Sequence, residues 1–142
     1  MSGLYSYGQT ALLAAEIDLV VDDIRALLVR TGGDIYSGGP QYVSQIVDFR
    51  EFDGANYVRK SLAGKSVTRD ASNTRGEFHA DDLTYTALGA GTTPIEALIL
   101  YKFVTNDADS PLIGIIDTPF PYTPSGSDVL LAWNAEGVLY TE

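Results

Sequence analysis

From Asn56 onward the chain reads as a succession of short β-strands separated by polar turns. Tyr57 to Leu62 alternates apolar and polar positions, and Lys65 to Arg69 has the length of a strand that pairs with a neighbour. Asp70 to Arg75 is a polar turn, followed by extended segments at Glu77 to Ala80 and Leu83 to Leu88. In the second of these, Leu83, Tyr85 and Ala87 face a core while Thr84 and Thr86 face outward, the pattern of a half-buried strand. Ile95 to Val104 is the strongest strand. Ile99, Tyr101 and Phe103 line one side and Leu98 and Leu100 the other, so both faces are expected to be covered. Thr105 to Pro111 turns it into Leu112 to Asp117, completing a hairpin. Pro119, Pro121 and Pro124 predict a rigid, extended loop. Asp128 to Trp133 and Gly137 to Tyr140 predict a terminal hairpin around Asn134 to Gly137.

The N-terminal third is less regular. Gln9 to Ala15 has good helix formers for about two turns, and Ile17, Leu19 and Val21, spaced by two, suit an extended segment. Residues 1–16 are therefore expected as an extended or short-helical arm. Ile24 to Arg30 reads as a strand inside a sheet, with Ile24, Ala26 and Leu28 on one face and Leu27 and Val29 on the other. Glycines break the chain at Thr31 to Asp34 and at Ser37 to Pro40. Gln41 to Phe49 then carries helical spacing at Tyr42, Val43, Ile46 and Val47, with Pro40 at its entrance. The sum is a single, mainly β domain over residues 1–142, a β-sandwich or open barrel with one or two short helices.

Composition narrows the chemistry. At 142 residues and 45% hydrophobic content, the chain can bury roughly 70% of its unfolded surface and fold without a metal or disulfide. It has no cysteine, which excludes thiolate zinc sites, cysteine nucleophiles and a disulfide scaffold. The net charge of −10 repels nucleic acid and anionic lipid, favours solubility, and suits a partner with a basic docking surface. The N-terminus lacks a basic leader, and no apolar run approaches the roughly 20 residues that span a bilayer. The expectation is a soluble protein made in the cytoplasm, without nucleic-acid or membrane partners.

Motifs for catalysis are missing. His79 is the only histidine and sits in an ordinary strand context. There is no Gly-x-Ser-x-Gly elbow, no P-loop and no dinucleotide fingerprint, and Gly89 to Thr93 connects strand to strand. Asp22-Asp23, Asp81-Asp82 and Asp107-Ala108-Asp109 offer oxygen ligands for calcium but match no EF-hand loop, and read as solvated turns. An acid–base pair of a glycosidase remains an alternative use for them. The reading is therefore no enzyme, no catalytic residues, no cofactor and no metal. Trp133 is read as core, with a stacking platform for carbohydrate as the rival role.

The order of elements resembles a group of small structural proteins encoded in tailed-bacteriophage genomes, often near head genes. The likeness runs from Glu16-Ile17-Asp18 and Arg25 to Gly32 (RALLVRTG), through Leu62 to Thr68 (LAGKSVT) and Asp81 to Ala87 (DDLTYTA). It continues with Glu96 to Lys102 (EALILYK), Leu112 to Thr118 (LIGIIDT), Pro124 to Asp128 and Trp133-Asn134. It spans nearly the whole chain. The departure is a longer, tyrosine-rich stretch at Thr118 to Pro124 (TPFPYTP). The resemblance implies a virion structural protein on the capsid surface, a decoration or cement protein. Its partners would be the major capsid protein and itself, as a trimer on threefold positions. Because Leu4, Tyr5, Tyr7, Phe120 and Tyr122 are apolar or aromatic without an obvious core partner, they are the expected interface residues. A tail, head–tail or head-fibre component and a carbohydrate-binding β-sandwich are the alternative functions.

Overall fold

The computed structural model describes residues 3–32, 39–46 and 51–141. Among them the fold is mainly β, with antiparallel pairing throughout, several sheets and no closed barrel. Ten strands are described: β1 (Gly3–Leu4), β2 (Ile24–Arg30), β3 (Lys60–Ser61), β4 (Ser66–Asp70), β5 (Arg75–His79), β6 (Leu83–Tyr85), β7 (Ile95–Lys102), β8 (Leu112–Ile116), β9 (Val129–Leu131) and β10 (Leu139–Tyr140). Helix α1 spans Ser6–Leu13. The largest sheet has the order β1-β8-β7-β2-β3, and two smaller sheets have the orders β10-β5-β4 and β6-β9.

The centre of the fold is the β2–β7 pair, which runs in register from Ile24 opposite Lys102 to Val29 opposite Ala97 and shifts by a bulge before Arg30 opposite Ile95. Apolar residues fill both of its faces, as the alternation predicts. Ile24, Ala26, Leu28, Leu98 and Leu100 point into one cluster with Phe78, Leu83, Tyr85 and Val138, contributed by or adjoining the two smaller sheets. Leu27, Val29, Ala97, Ile99 and Tyr101 point the opposite way, against Tyr5, Val43 and Ile46. Strand β8 joins β7 with one residue too many. Leu112 faces Tyr101 and Gly114 faces Leu100, so Ile113 is bulged out of the ladder and packs in the first cluster. Ser110, fully buried, closes the turn before it by donating to Asn106 O (2.7 Å) and accepting from Val104 N (3.1 Å).

Several expectations need correction. The short helix of the N-terminal arm spans residues 6–13 where 9–15 were expected, and it lies against β8. A Cβ on Gly8 would come within 2.5 Å of Ile113 O, so glycine is what permits the close approach. Ile17 to Val21 is not extended. Asp18 Oδ1 accepts from Val20 N (2.9 Å) and Val21 N (3.1 Å), winding the segment into an Asx turn that buries Ile17 and exposes Val21. Residues 44–46 are helical, while 47–49 of the expected helix lie outside the described residues. Gln45 Oε1 accepts from Gln41 N and Tyr42 N at the start of this turn. Pairing at Tyr57 to Leu62 is confined to β3, and Leu83 to Leu88 pairs only as far as Tyr85, since Ala87 turns out with φ 48°.

The C-terminal segments also depart from the expected hairpin. Asn134 and Gly137 do bridge, but β9 pairs with β6 and β10 with β5, so the two strands separate into different sheets. The proline-rich loop turns instead of extending. Phe120 N donates to Asp117 O (3.1 Å), and Tyr122 exchanges two backbone hydrogen bonds with Ile95.

The buried pair sets the mutational response. Leu100→Ala should destabilise by about 2–5 kcal/mol in urea unfolding, while exposed Val21→Ala should stay within about 0.5 kcal/mol. Equal effects would mean that the β2–β7 ribbon is not the centre of the core.

Candidate functional site

The separation of β9 from β10 leaves a groove of ≈ 740 Å³ between them. One wall is the end of β8 with the loop Asp117 to Phe120, and the other is Leu131 to Asn134 with Gly137 to Tyr140. Gly3 of β1 borders it, and a Cβ added there would meet nothing within 4 Å. The lining is mixed, with Pro119, Phe120, Trp133 and Tyr140 beside Asp117, Thr118 and Asn134.

Local bonding fixes the aromatic residues. Trp133 Nε1 donates to Asp81 O (2.8 Å), and Trp133 N donates to Asp82 Oδ1 (3.1 Å). The acidic pair thus serves as an anchor for the indole. The Arg75 guanidinium sits 4.4 Å from the Tyr140 ring centroid, a cation–π contact, and also pairs with Glu77 (3.0 Å). Phe120 packs on the first core cluster.

On the far side of Pro119 and Phe120 lies a smaller cleft of ≈ 200 Å³, bordered by Tyr122, Val129, Leu130 and Leu131 and closed below by Leu28, Tyr85 and Leu88. Leu130 is 63% exposed and Tyr122 41%, so the cleft opens through an apolar patch. Burial pushes the Tyr85 phenol pKa well above its ordinary value, and its hydroxyl has no hydrogen-bond partner among the described residues.

Of the expected interface residues, Phe120 and Tyr122 are brought together at this cleft. Tyr7, on α1, is 50% exposed but lines neither depression. Leu4 is half-buried: its backbone pairs with Gly114 and its side chain packs on the first cluster. Tyr5 is a correction. It is 7% exposed and packs in the second cluster, because the pairing of β1 with β8 carries the following residue onto the sheet face. Its ring serves the interior. Tyr140 and Leu130 are not among the expected site residues, and the exposed alternate position of Leu130 in its strand is the available signal. Trp133, read as core with a stacking platform as the rival role, packs on the first cluster and also borders the groove.

The remaining acidic clusters are tied into the framework. Asp23 accepts from Arg25 (2.7 Å) and Ser61 Oγ (3.0 Å), and the Arg25 hydrogen bond holds its carboxyl below the usual range. Asp22 pairs with Lys102 (3.0 Å), and Lys65 Nζ donates to its backbone oxygen. Arg59 is a clamp. Its Nε and Nη2 donate to the two oxygens of Glu51 (2.7 and 2.9 Å), and Nη1 and Nη2 donate to those of Asp107 (2.6 and 3.1 Å). The same Glu51 accepts from Tyr57 Oη (2.9 Å), which in turn accepts from Leu28 N (3.0 Å). These bonds raise the Arg59 pKa further, the Glu51 bond most. His79 Nε2 lies 3.0 Å from Glu77 Oε2. Among the described residues, no three His, Asp or Glu converge as a metal site, and no helix is long and apolar enough to cross a membrane.

No protein-family model matches the chain, and no curated protein matches it.

Two outcomes follow from the ion pairs. Arg59→Met leaves two half-buried carboxylates facing each other and should cost about 1–3 kcal/mol in urea unfolding, less than for a fully buried pair. The folded-state pKa of Asp23 lies below the unfolded 3.8, so its stabilisation is complete above that value and is lost as pH falls through and below it. Between about pH 6 and about pH 3 the Tm of Asp23→Asn should therefore fall less than that of the parent chain. A parallel decline would show that the Arg25 contact contributes nothing.

Proposed function

We propose that this chain is a structural protein of a tailed-phage particle, bound outside the capsid shell as a decoration or cement protein that clamps neighbouring capsomers. The observation that carries the reading is the apolar patch of Phe120, Tyr122 and Leu130 around the smaller cleft, set on a sheet framework whose acidic clusters are used internally. A cement protein needs such a division. Its body must resist deformation, and its contact must come from large apolar side chains at a surface repeated by symmetry. The nearby loop is also the stretch that departs from the phage proteins the sequence resembles, as a contact particular to one shell would.

The partner in this reading is the major capsid protein, with Phe120, Tyr122 and Leu130 as anchors and Tyr7 as a contact from α1. The charge of −10 suits a basic patch on the shell. A trimer would match the threefold positions of the lattice, and many copies stabilise the assembled state by mass action.

Quantitative mass spectrometry of purified particles should find the chain at a copy number near that of the major capsid protein, and present on DNA-filled heads lacking tails. Tyr122→Asp and Leu130→Asp should each weaken binding to heads at least about tenfold without lowering Tm. A few copies per particle, confined to tails or connectors, would assign the chain to the tail or head–tail instead. Absence from particles would overturn the virion reading.

A further inference from the structure

We propose that the larger groove, beside Trp133, is a binding site for a neutral saccharide. This inference does not rest on the capsid reading, since the groove is a separate depression that shares only Pro119, Phe120 and Leu131 with the smaller cleft.

The lining has the composition that sugars require. A pyranose presents apolar C–H faces and a ring of hydroxyls, so it is recognised by aromatic planes with hydrogen-bonding groups at their edges. Trp133, Tyr140 and Phe120 supply the planes. Thr118 supplies a hydroxyl and Asn134 an amide. Asn134 Oδ1 already accepts from Glu136 N (3.2 Å), so its NH₂ is the group available to donate. The volume, ≈ 740 Å³, lies within the roughly 300–1,000 Å³ typical of small-molecule sites.

Preorganisation supports the same conclusion. Both bonds to Trp133 come from the Asp81-Asp82 pair, and Tyr140 is held under Arg75, so neither ring must be ordered when a ligand arrives. Charge selects within the class. The net charge of −10 disfavours acidic sugars.

Trp133 is the single tryptophan of the chain, so its emission reports on this groove alone. The full chain is titrated with three neutral tetrasaccharides, maltotetraose, cellotetraose and chitotetraose. At least one should shift or quench the emission saturably, in the micromolar to millimolar range. Tyr140→Ala should weaken that response at least about tenfold. A Cβ at Gly3, on the groove wall, meets nothing within 4 Å, so Gly3→Phe should obstruct the groove and abolish the response while Tm is retained. Tyr7→Ala should leave it unchanged. No saturable change with any of the three sugars, or an undiminished response in Gly3→Phe, overturns the proposal.

Discussion

A two-stranded ribbon with no polar face dictates the arrangement of this molecule. Strands β2 and β7 place Leu28, Leu98 and Leu100 on one side and Leu27, Ile99 and Tyr101 on the other, all essentially out of contact with water. A sheet centred on such a pair must be covered twice. The first side is covered by residues of the two smaller sheets and α1, the second by Tyr5, Val43 and Ile46. The covering pieces are short, and most of the irregular features serve to bring them into place: the bulge at Ile113, the bare helix face at Gly8, and the turn built on Asp18.

The depressions on the surface follow from that economy of cover. One small sheet holds β9 and the other β10, so the chain between them crosses from sheet to sheet at Trp133 to Val138 and leaves a gap. Asp81 and Asp82 on one side and Arg75 on the other hold the rings that border the gap. The charged residues therefore have a common use. They fix the positions of aromatic and backbone groups, while Tyr122 and Leu130 leave apolar side chains exposed beside the smaller cleft.

What could be read from the chain and what could not divide along the same line. Strands β2 and β7 were legible, including which side chains share a face, and β8 was legible as the next strand of the hairpin though not its bulge, because continuous apolar runs bounded by Gly, Pro and Asp leave few alternatives. Ile17 to Val21 was misleading since its period-two spacing is also what an Asx turn shows when the key residue is an aspartate between apolar neighbours. The terminal hairpin failed for a different reason. Asn134 to Gly137 is a turn, as its residues indicate, but a turn does not say which strand each arm will join. The groove was the least legible feature. Gly3, Ile116, Trp133 and Tyr140 come from separate segments, and their meeting depends on the order of strands in space. Tyr5 looked like an anchor because its partners, Val43 and Ile99 among them, are distant in sequence.

The clamp at Arg59 has a kinetic consequence. Its acidic partners are Glu51 and Asp107, one on a segment beside Val29 and the other in the turn that joins β7 to β8. Forming both bonds requires chain elements 48 residues apart to be already docked. A contact completed that late adds little to the speed of folding, yet it must be broken early on the way out. Such contacts lengthen the lifetime of the native state more than they raise its rate of formation. A triad that closes only after those elements have docked confers persistence, and not quick assembly.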